Sequence, residues 1–599
     1  MNVLMIPFGM LKLPVRNVNS SCLANCSRRA FWILKTQFTS FISENKPHKP
    51  QNFTDYESIK QQYKLQVPEY FNFASDVLDK WSEVEKAGSR NSNPAFWWVS
   101  ENGQEVKWSF QDLSAYSKKV ANILSEDCDL QLTDRVIVIL PQIPEWWLVN
   151  IACMRTGTVL IPGTIQLTAT DILYRLQTSQ AKCIITDDSL ADPVESVISK
   201  CPSIKVKLII SHKHREGWMN FQDLFGKAST DHKCATTKSL DPMAIFFTSG
   251  TTGTPKMALH THCSYGIGHT VTGRYWLDLT PSDVIWNTSD TGWAKSAWSS
   301  IFSPWIQGSC VFVRQMSRIE PKTILETLSR YPITTFCSPP TLYRMLVQND
   351  VTSYRFKNLQ HCVSAGEPIN TEVMEKWKDQ TGLDIYEGYG QTETVLICAT
   401  FKNMKIKPGS MGKPAPGYNV QVIDENCNMV PPGVEGEIAI QMKPVRPISL
   451  FSGYIDDPQR TASTLRGDYF LTGDRGQVDE DGYIWFTGRL DDVILTAGYR
   501  IGPFEIENAL IQHPAVVESA VVGSPDPIRG EVVKAFVIRS PAYTSHDPDK
   551  LITELQEHVK KVTAPFKYPR KIEFVNHLPK TISGKIKRIE LRKKEWEKK

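Results

Sequence analysis

The sequence predicts an α/β fold with a large N-terminal domain of parallel sheets, a β-rich subdomain and a small α+β C-terminal domain. From about residue 101 to residue 393, short apolar runs alternate with helix-like segments. Such alternation is typical of parallel sheets covered on both faces. After about Pro408, turns such as Asp481-Gly482 separate short strands, and the last hundred residues become α+β and end in a Lys-rich helix.

The predicted elements follow from the length of each apolar run and from its flanking residues. In chain order they are the strand Val136–Leu140, the helix Pro144–Arg155 with proline at its start, the strand Thr158–Pro162, the helix Leu173–Ser179, the strand Cys183–Thr186, the strand Met243–Phe247, the helix Ile324–Arg330, the strand Ile333–Cys337 and the strand Leu383–Ile385. We place a domain boundary near Arg489–Asp492, between an N-terminal domain at 44–490 and a C-terminal lid domain at 491–599.

Composition excludes several classes of protein. With 599 residues, 41% hydrophobic and 22% charged, the chain is neither collagen, coiled coil nor largely disordered. Its longest apolar runs are far shorter than the roughly 20 residues of a membrane helix, so we expect no transmembrane segment. The 13 cysteines include no C-x-x-C pair, which indicates a reducing compartment and no structural zinc.

Charge is distributed unevenly, although the net charge is only +4 and gives no reason to expect a nucleic-acid partner. Residues 1–43 contain five Lys or Arg and no acid, which predicts a mitochondrial transit peptide and a location in the mitochondrial matrix. The alternative is a disordered basic tail that carries no targeting signal. Residues 551–599 carry 14 basic against 6 acidic residues.

The strongest local signal is a Gly/Thr-rich loop that directly follows a predicted strand. It consists of Thr248, Ser249, Gly250, Thr251, Thr252, Gly253, Thr254, Pro255 and Lys256. Its N–H and O–H donors suit phosphate oxygens. Because Lys256 is followed by Met257, it is not a Walker A loop. Taken alone, it is also compatible with a flexible turn.

Three further segments carry polar groups that suit a nucleotide. The first contains Glu387, Gly388, Tyr389, Gly390, Gln391, Thr392 and Glu393, where the last carboxylate suits Mg²⁺. In the second, Asp474 at a turn is placed to accept the hydroxyls of a ribose, with Arg489 fifteen positions later. The third places Lys585 on a Gly-containing loop. The alternatives are, respectively, a capped helix start, an Asx turn with a surface salt bridge, and a solvated charge.

In this order, the motifs TSGTTGTPK, YEGYGQTE, GDRG, RLDD and PKTISGK resemble the signature of the adenylate-forming superfamily. Within it, the segments Asp290–Trp293, Ser364–Glu367, Ala497–Gly502 and Tyr568–Lys571 resemble the mitochondrial medium-chain acyl-coenzyme A synthetases. The similarity extends from about residue 60 to the end. It implies a ligase that joins a short-to-medium-chain fatty acid to coenzyme A through an acyl-AMP, releasing AMP and pyrophosphate.

The resemblance also implies roles for individual residues. The loop at 248–256 would hold the β- and γ-phosphates, Thr392 the α-phosphate, Glu393 the Mg²⁺, Asp474 and Arg489 the ribose, and Gly366 and Tyr389 would lie beside adenine. Lys585 would bridge the substrate carboxylate and the α-phosphate, and the mobile C-terminal domain would turn about a hinge at Asp491. Coenzyme A would contact Ala497, Gly498, Tyr499, Arg500, Arg529, Lys567, Tyr568, Pro569 and Arg570, and the acyl pocket would lie near Trp293, Lys295, Trp298, Gly366 and 336–341.

Two other functions remain open from the sequence. A sibling enzyme would activate an aromatic or xenobiotic acid such as benzoate. A homologue without turnover would only bind nucleotide or acyl-coenzyme A, although the presence of Lys585, Glu393, Asp474 and Arg489 argues against it.

Overall fold

The computed structural model describes residues 52, 56–57, 60, 63–90, 93–248, 255–490, 492, 494–496, 499–526, 529–563, 567–581 and 584–597. All of them belong to one compact unit, Asn52–Lys599. The predicted transit peptide, the loop residues 249–254, the hinge Asp491, and Ala497 and Gly498 lie outside the described residues. Tyr499 and Arg500 are described by their backbone alone.

The strands are numbered in chain order. They are β1 (Phe96–Val99), β2 (Glu105–Trp108), β3 (Arg135–Ile139), β4 (Val159–Gly163), β5 (Cys183–Asp187), β6 (Val206–Ile210), β7 (Met219–Asn220), β8 (Pro242–Thr248), β9 (Lys256–Thr261), β10 (Val284–Asn287), β11 (Cys310–Arg314), β12 (Thr335–Ser338), β13 (His361–Ala365), β14 (Ile385–Gln391), β15 (Val395–Ala399), β16 (Lys413–Pro414), β17 (Val420–Ile423), β18 (Gly436–Gln441), β19 (Gly453–Tyr454), β20 (Leu465–Arg466), β21 (Tyr469–Val478), β22 (Ile484–Arg489), β23 (Ile494–Thr496), β24 (Tyr499–Ile501), β25 (Val516–Asp526), β26 (Gly530–Arg539) and β27 (Lys571–Phe574).

The α-helices span Asp79–Lys86, Phe110–Asn122, Pro144–Thr156, Ala169–Ser179, Asp188–Ile198, Phe221–Lys227, His262–Tyr265, Ala294–Ala297, Ser303–Ile306, Pro321–Arg330, Pro340–Leu346, Thr371–Thr381, Pro458–Ser463, Pro503–Ile511, Pro548–Val562 and Arg588–Trp596. Short π-helical turns occupy Ala74–Leu78, Ile123–Asp127, Thr272–Trp276 and Trp298–Phe302, and 3₁₀ turns occupy Ile267–His269, Val351–Ser353 and Pro541–Tyr543.

Local signals set the ends of several helices. Pro144 occupies the first turn of its helix, and Gly157 ends that helix in the left-handed conformation, with φ at 70°. Thr168 and Asp171 form a capping box at the start of the helix Ala169–Ser179. The structure therefore confirms both predicted helices, although the second begins at Ala169 and not at the predicted Leu173.

Two large mixed sheets form the N-terminal part of the fold. One has eight strands in the order β19-β9-β8-β4-β3-β5-β6-β7, and the other has nine in the order β16-β15-β14-β13-β12-β10-β11-β1-β2. The central pairs are parallel, whereas β2, β9, β15, β16 and β19 pair antiparallel at the edges. This confirms the predicted α/β class and adds antiparallel edges to it.

The predicted strand Leu383–Ile385 is corrected by the structure. The strand β14 begins at Ile385 and continues through the motif residues to Gln391. The interpretation of this motif as a capped helix start is therefore wrong, because its residues pair with β13 on one side and with β15 on the other.

Two smaller sheets follow in the chain. The sheet of β17, β18, β20, β21 and β22 is the predicted β-rich subdomain, and the sheet of β23–β27 contains only residues from Ile494 onward. Helices Pro503–Ile511 and Pro548–Val562 cover one face of the last sheet with residues such as Leu510 and Leu555.

The described residues include no helix long and apolar enough to cross a bilayer. The described cysteines are free thiols, and most of them are buried.

Candidate active site

The Gly/Thr-rich loop connects two antiparallel strands at the edge of the eight-stranded sheet. Thr248 ends β8 and lies opposite Lys256, the first residue of β9. The hydroxyl of Tyr174 donates to the carbonyl of Pro255 at 2.9 Å. The strands β8 and β9 therefore form a hairpin, and Lys256 lies opposite Thr248 at the end of its paired region.

Lys256 lies in a cluster with Tyr454 and Glu393. The strand β19 pairs with β9, which brings Tyr454 opposite Ala258. The Tyr454 hydroxyl donates to Glu393 Oε1 at 2.7 Å, and the Lys256 ammonium lies 5.1 Å from the centre of the Tyr454 ring. Burial lowers the pKa of Lys256, with Arg460 nearby adding to the effect. Sequence reasoning missed Tyr454, because it lies outside the motifs.

Thr392 and Glu393 form the tip of a tight turn between β14 and β15. A Cβ atom on Gly390 would lie 1.9 Å from the carbonyl oxygen of Val395, so the turn requires glycine there. Val395 itself has φ at 62°, a strained conformation for a β-branched residue. Strain of this kind is held in place by its surroundings and is found at functional sites. The turn therefore fixes the two side chains that the sequence assigns to the α-phosphate and to Mg²⁺.

A buried histidine forms a hydrogen bond with the backbone of this turn. His260 Nε2 lies 2.7 Å from the carbonyl oxygen of Thr392, and Nδ1 lies 3.0 Å from the Ser264 hydroxyl. Burial lowers the pKa of His260 to about 3, so the ring is neutral. Because a carbonyl only accepts, Nε2 carries the proton and donates. No local sequence pattern indicates this contact, which joins residues 132 positions apart.

Asp474 is the centre of a second cluster. Its Oδ1 accepts from Arg489 Nη1 at 2.9 Å, and its Oδ2 accepts from the Tyr389 hydroxyl at 2.5 Å and from Gln391 Nε2 at 2.7 Å. Asp474 and Arg489 lie directly opposite each other on β21 and β22. Burial, together with the nearby Asp474 carboxylate, raises the pKa of Tyr389 well above its ordinary value.

The structure corrects the predicted environment of Asp474. The residue lies within the long strand β21 and not at a turn, and it is 4% exposed. Gly473 has φ at 70°, and the pairing shifts register between Arg475 and Gly476. The glycines therefore mark a β-bulge and the predicted turn is wrong, whereas an ion pair between Asp474 and the partly exposed Arg489 is present.

Glu387 and Gly388 are consecutive residues of β14, and both are buried. Burial raises the pKa of the Glu387 carboxyl to about 8, and its Oε2 atom has no hydrogen-bond partner among the described residues. A Cβ on Gly388 would lie 2.6 Å from the indole of Trp276. Gly366, with φ at 108°, faces open space instead, which leaves room for a ligand.

The segment Asp290–Trp293 is held against the other sheet. A Cβ on Gly292 would lie 2.2 Å from the backbone nitrogen of Thr164, and the Gly292 N–H donates to Asp290 Oδ1 at 2.8 Å. Trp293 follows and lines a small apolar cavity together with Trp146 and Phe246. The position of Trp293 beside an apolar cavity is compatible with the predicted acyl pocket, which stays a prediction.

Lys585 forms no hydrogen bond or ion pair with the described residues of these two clusters. Its backbone N–H donates to Thr581 Oγ1 at 3.1 Å, and Gly584 before it has φ at 84°. The side chain is exposed, and its ammonium has no hydrogen bond or ion pair with any described residue. The structure therefore does not bring Lys585 to Glu393 or Asp474.

The predicted coenzyme A residues share one end of the last sheet. Thr496 of β23 pairs with Gly530, next to Arg529. The Arg570 N–H donates to Val533 on the same end of β26, and the Arg570 guanidinium packs 4.9 Å from the Tyr568 ring. By contrast, Lys567 is paired with Glu505 at 2.5 Å and Pro569 accepts from Gln556 at 3.0 Å.

Comparison with known proteins agrees with this geometry. Residues 84–455 match the family model described as AMP-binding enzyme, and residues 505–585 match its C-terminal domain. The chain is 67% identical over 553 residues to human "acyl-coenzyme A synthetase ACSM3, mitochondrial", covering 92% of this chain and 94% of that protein. It is 58% identical over 568 residues to human "acyl-coenzyme A synthetase ACSM4, mitochondrial", covering 95% and 98%.

A solved structure described as anthranilate CoA ligase AuaEII in complex with anthranoyl-AMP superposes with a TM-score of 0.79 at 29% identity, covering 88% of this chain and 98% of that one. The chain belongs to the AMP-binding enzyme family. The resemblance inferred from the motifs is thereby confirmed.

Proposed function

We propose that this chain is a mitochondrial acyl-coenzyme A synthetase that activates short-to-medium-chain carboxylic acids. In the first step the acid's carboxylate attacks the α-phosphate of ATP, giving acyl-AMP and pyrophosphate. In the second step the thiolate of coenzyme A displaces AMP and forms the thioester. The acid-free stretch 1–43 and the names of the relatives support import into the matrix.

The observation that carries this proposal is the joint placement of cationic, hydroxyl and carboxylate groups where the two large sheets approach each other. Lys256 comes from the eight-stranded sheet, whereas Thr392 and Glu393 come from the nine-stranded sheet. Tyr454 connects them through its contacts with Lys256 and Glu393. A polyphosphate bound here would meet donors from both sides.

The chemical difficulty of the first step is that two anions must meet. Fixed cations and hydrogen-bond donors lower that barrier because they are already oriented when charge builds up on the phosphate. Lys256 would neutralise the β- and γ-phosphates, and Thr392, fixed by the strained turn and by His260, would donate to the α-phosphate. Asp474 would accept the ribose hydroxyls, exchanging one of its present donors for them.

Glu393 suits Mg²⁺. Its Oε1 accepts from Tyr454, which orients the carboxylate and leaves Oε2 available. The described residues contain no cluster of three or more ligating side chains. This fits Mg²⁺, which proteins commonly bind through one or two carboxylates together with substrate phosphates. When bound, Mg²⁺ supplies positive charge to the phosphate oxygens.

Lys585 would act in the first step after a rotation of the C-terminal domain. Its exposed ammonium has no partner here, and a hinge at Asp491 would carry it to the acid's carboxylate. In the second step the same domain would present the end of its sheet with Arg529, Tyr568 and Arg570 to the anionic coenzyme A.

The experiment that tests the proposal is a panel of acids from acetate to dodecanoate, plus benzoate, scored by AMP release that depends on both ATP and coenzyme A. We expect the highest kcat/KM among the short-to-medium linear acids. A maximum at benzoate would replace this proposal with the aromatic alternative. Binding of ATP without AMP release from any acid would support the homologue without turnover.

A further inference from the structure

Lys295 lies at the carboxyl edge of the nine-stranded sheet. It is in the short helix Ala294–Ala297 that follows β10, and its ammonium lies 2.7 Å from Ser299 Oγ and 3.1 Å from Cys337 Sγ at the end of β12. Ligands of open α/β sheets bind outside the carboxyl ends of the strands. Lys295 is therefore a cation in the region where a substrate is expected.

The ammonium of Lys295 has no anionic partner. No carboxylate of the described residues lies within ion-pair distance of it, and its two hydrogen-bond acceptors are a neutral hydroxyl and a thiol. The rings of Trp276 and Trp298 lie 4.7 Å and 5.8 Å from its Nζ. An ammonium has three donors, so one remains for a ligand.

The neighbouring His269 adds no second charge beside the Lys295 ammonium. His269 is fully buried, and burial, together with the nearby His260 and Lys295, holds the pKa of His269 well below its ordinary value. The ring is therefore neutral. The local environment contains one positive charge, Lys295, among aromatic and weakly polar side chains.

Packing connects Lys295 to the strand that carries the reacting groups. The indole of Trp276 lies against Gly388, four residues before Thr392. Trp298 Nε1 donates to the Tyr265 hydroxyl at 2.8 Å, and the Tyr265 ring lies 4.1 Å from the ring of His260, which holds Thr392. Lys295 is thus one layer of aromatic side chains away from the site of adenylation.

We propose that Lys295 is a specificity-determining residue that donates a hydrogen bond to a second oxygen on the acyl chain. The inference rests on the proposed function, because it names the acids that the same site prefers. Those acids carry a hydroxyl or a second carboxylate at a distance from the reacting carboxylate. An unsubstituted chain leaves only the third N–H of the ammonium without an acceptor, whereas an oxygenated chain supplies one, so the site favours the oxygenated acid over its unsubstituted partner.

The test compares matched acids in ATP–pyrophosphate exchange. In the wild-type protein, 3-, 4- and 5-hydroxyhexanoate are each compared with the isosteric methylhexanoate, and adipate is compared with hexanoate. We expect at least one oxygenated acid to exceed its partner in kcat/KM by about tenfold or more. This comparison needs no variant, so it does not depend on the folding of a mutant.

The variant Lys295→Met, which keeps a chain of similar length, should reduce that preference by about 10- to 100-fold. Lys322→Met, on an exposed helix surface, is the matched control and should leave the preference unchanged. Equal kcat/KM for every pair in the wild type, or an unchanged preference in Lys295→Met, would overturn the inference while leaving the proposed function intact. Absence of exchange with every acid would overturn both.

Discussion

The substitution Asp474→Asn tests the nucleotide site most sharply, because Asp474 accepts from Arg489, Tyr389 and Gln391 at once. An asparagine has nearly the same shape but only one acceptor oxygen. If that oxygen stays at the Oδ2 position, the contacts with Tyr389 and Gln391 survive as weaker neutral hydrogen bonds. The new amide group then faces Arg489, which is itself a donor.

The magnitude follows from burial. The side chain of Asp474 is 6% exposed, whereas that of Arg489 is 39% exposed and is able to turn to water. The ion pair is therefore partly screened, and the full cost of breaking a buried pair does not apply. Losing this charged acceptor lowers the free energy of unfolding by about 1–3 kcal/mol. If the ribose loses the same acceptor, KM for ATP rises by about 10- to 100-fold.

The assay measures the thermal unfolding midpoint and KM for ATP in the same preparations. Asp479→Asn is the matched control, since Asp479 follows the same strand and accepts from Lys407 and Trp485. We expect Asp479→Asn to lower the midpoint while KM for ATP stays unchanged. Equal KM values for Asp474→Asn and the wild type would refute the role of Asp474 in binding the nucleotide.

Three further predictions concern the other predicted site residues. Lys585→Ala should abolish acid-dependent ATP–pyrophosphate exchange yet retain thioester formation from supplied acyl-AMP; normal exchange would contradict its role in the first step. Glu393→Gln should raise the Mg²⁺ concentration for half-maximal activity by about tenfold or more, because one anionic ligand is lost; an unchanged Mg²⁺ dependence would exclude Glu393 as a ligand. The pKa of the Glu387 carboxyl rises from 4.5 to about 8 on folding, because burial favours its neutral form. The contribution of Glu387 to the free energy of unfolding is therefore fully present below about pH 4.5. It is lost as pH rises toward 8, at about 1.4 kcal/mol per pH unit. Glu387→Gln should remove that part of the pH dependence of the unfolding midpoint, and identical pH profiles would contradict it.

The sequence predicted the regular elements well where local signals are strong. The helix from Pro144 and the strands around it appear at the predicted positions, because proline at a first turn and an unbroken apolar run act locally. The strand predicted at Ile333–Cys337 instead begins at Thr335, which is within the usual uncertainty of element ends.

The environment of the site residues was less predictable. The sequence places Asp474 at a turn, but in β21 the neighbouring Gly473 and Gly476 accompany a bulge that the partner strand stabilises. Tyr454 and His260 carry no motif and reach Glu393 and Thr392 only through long-range strand pairing and burial. Such contacts depend on how the sheets assemble, which a local pattern does not encode.

The most direct test of the proposed function is a two-stage reaction with hexanoate. The protein is first incubated with labelled ATP, Mg²⁺ and hexanoate without coenzyme A, and the labelled products are separated; coenzyme A is then added. We predict hexanoyl-AMP and pyrophosphate in the first stage, and conversion of the hexanoyl-AMP to hexanoyl-coenzyme A and AMP in the second. Formation of ADP and phosphate, or of a thioester without a preceding acyl-AMP, would contradict the proposed mechanism.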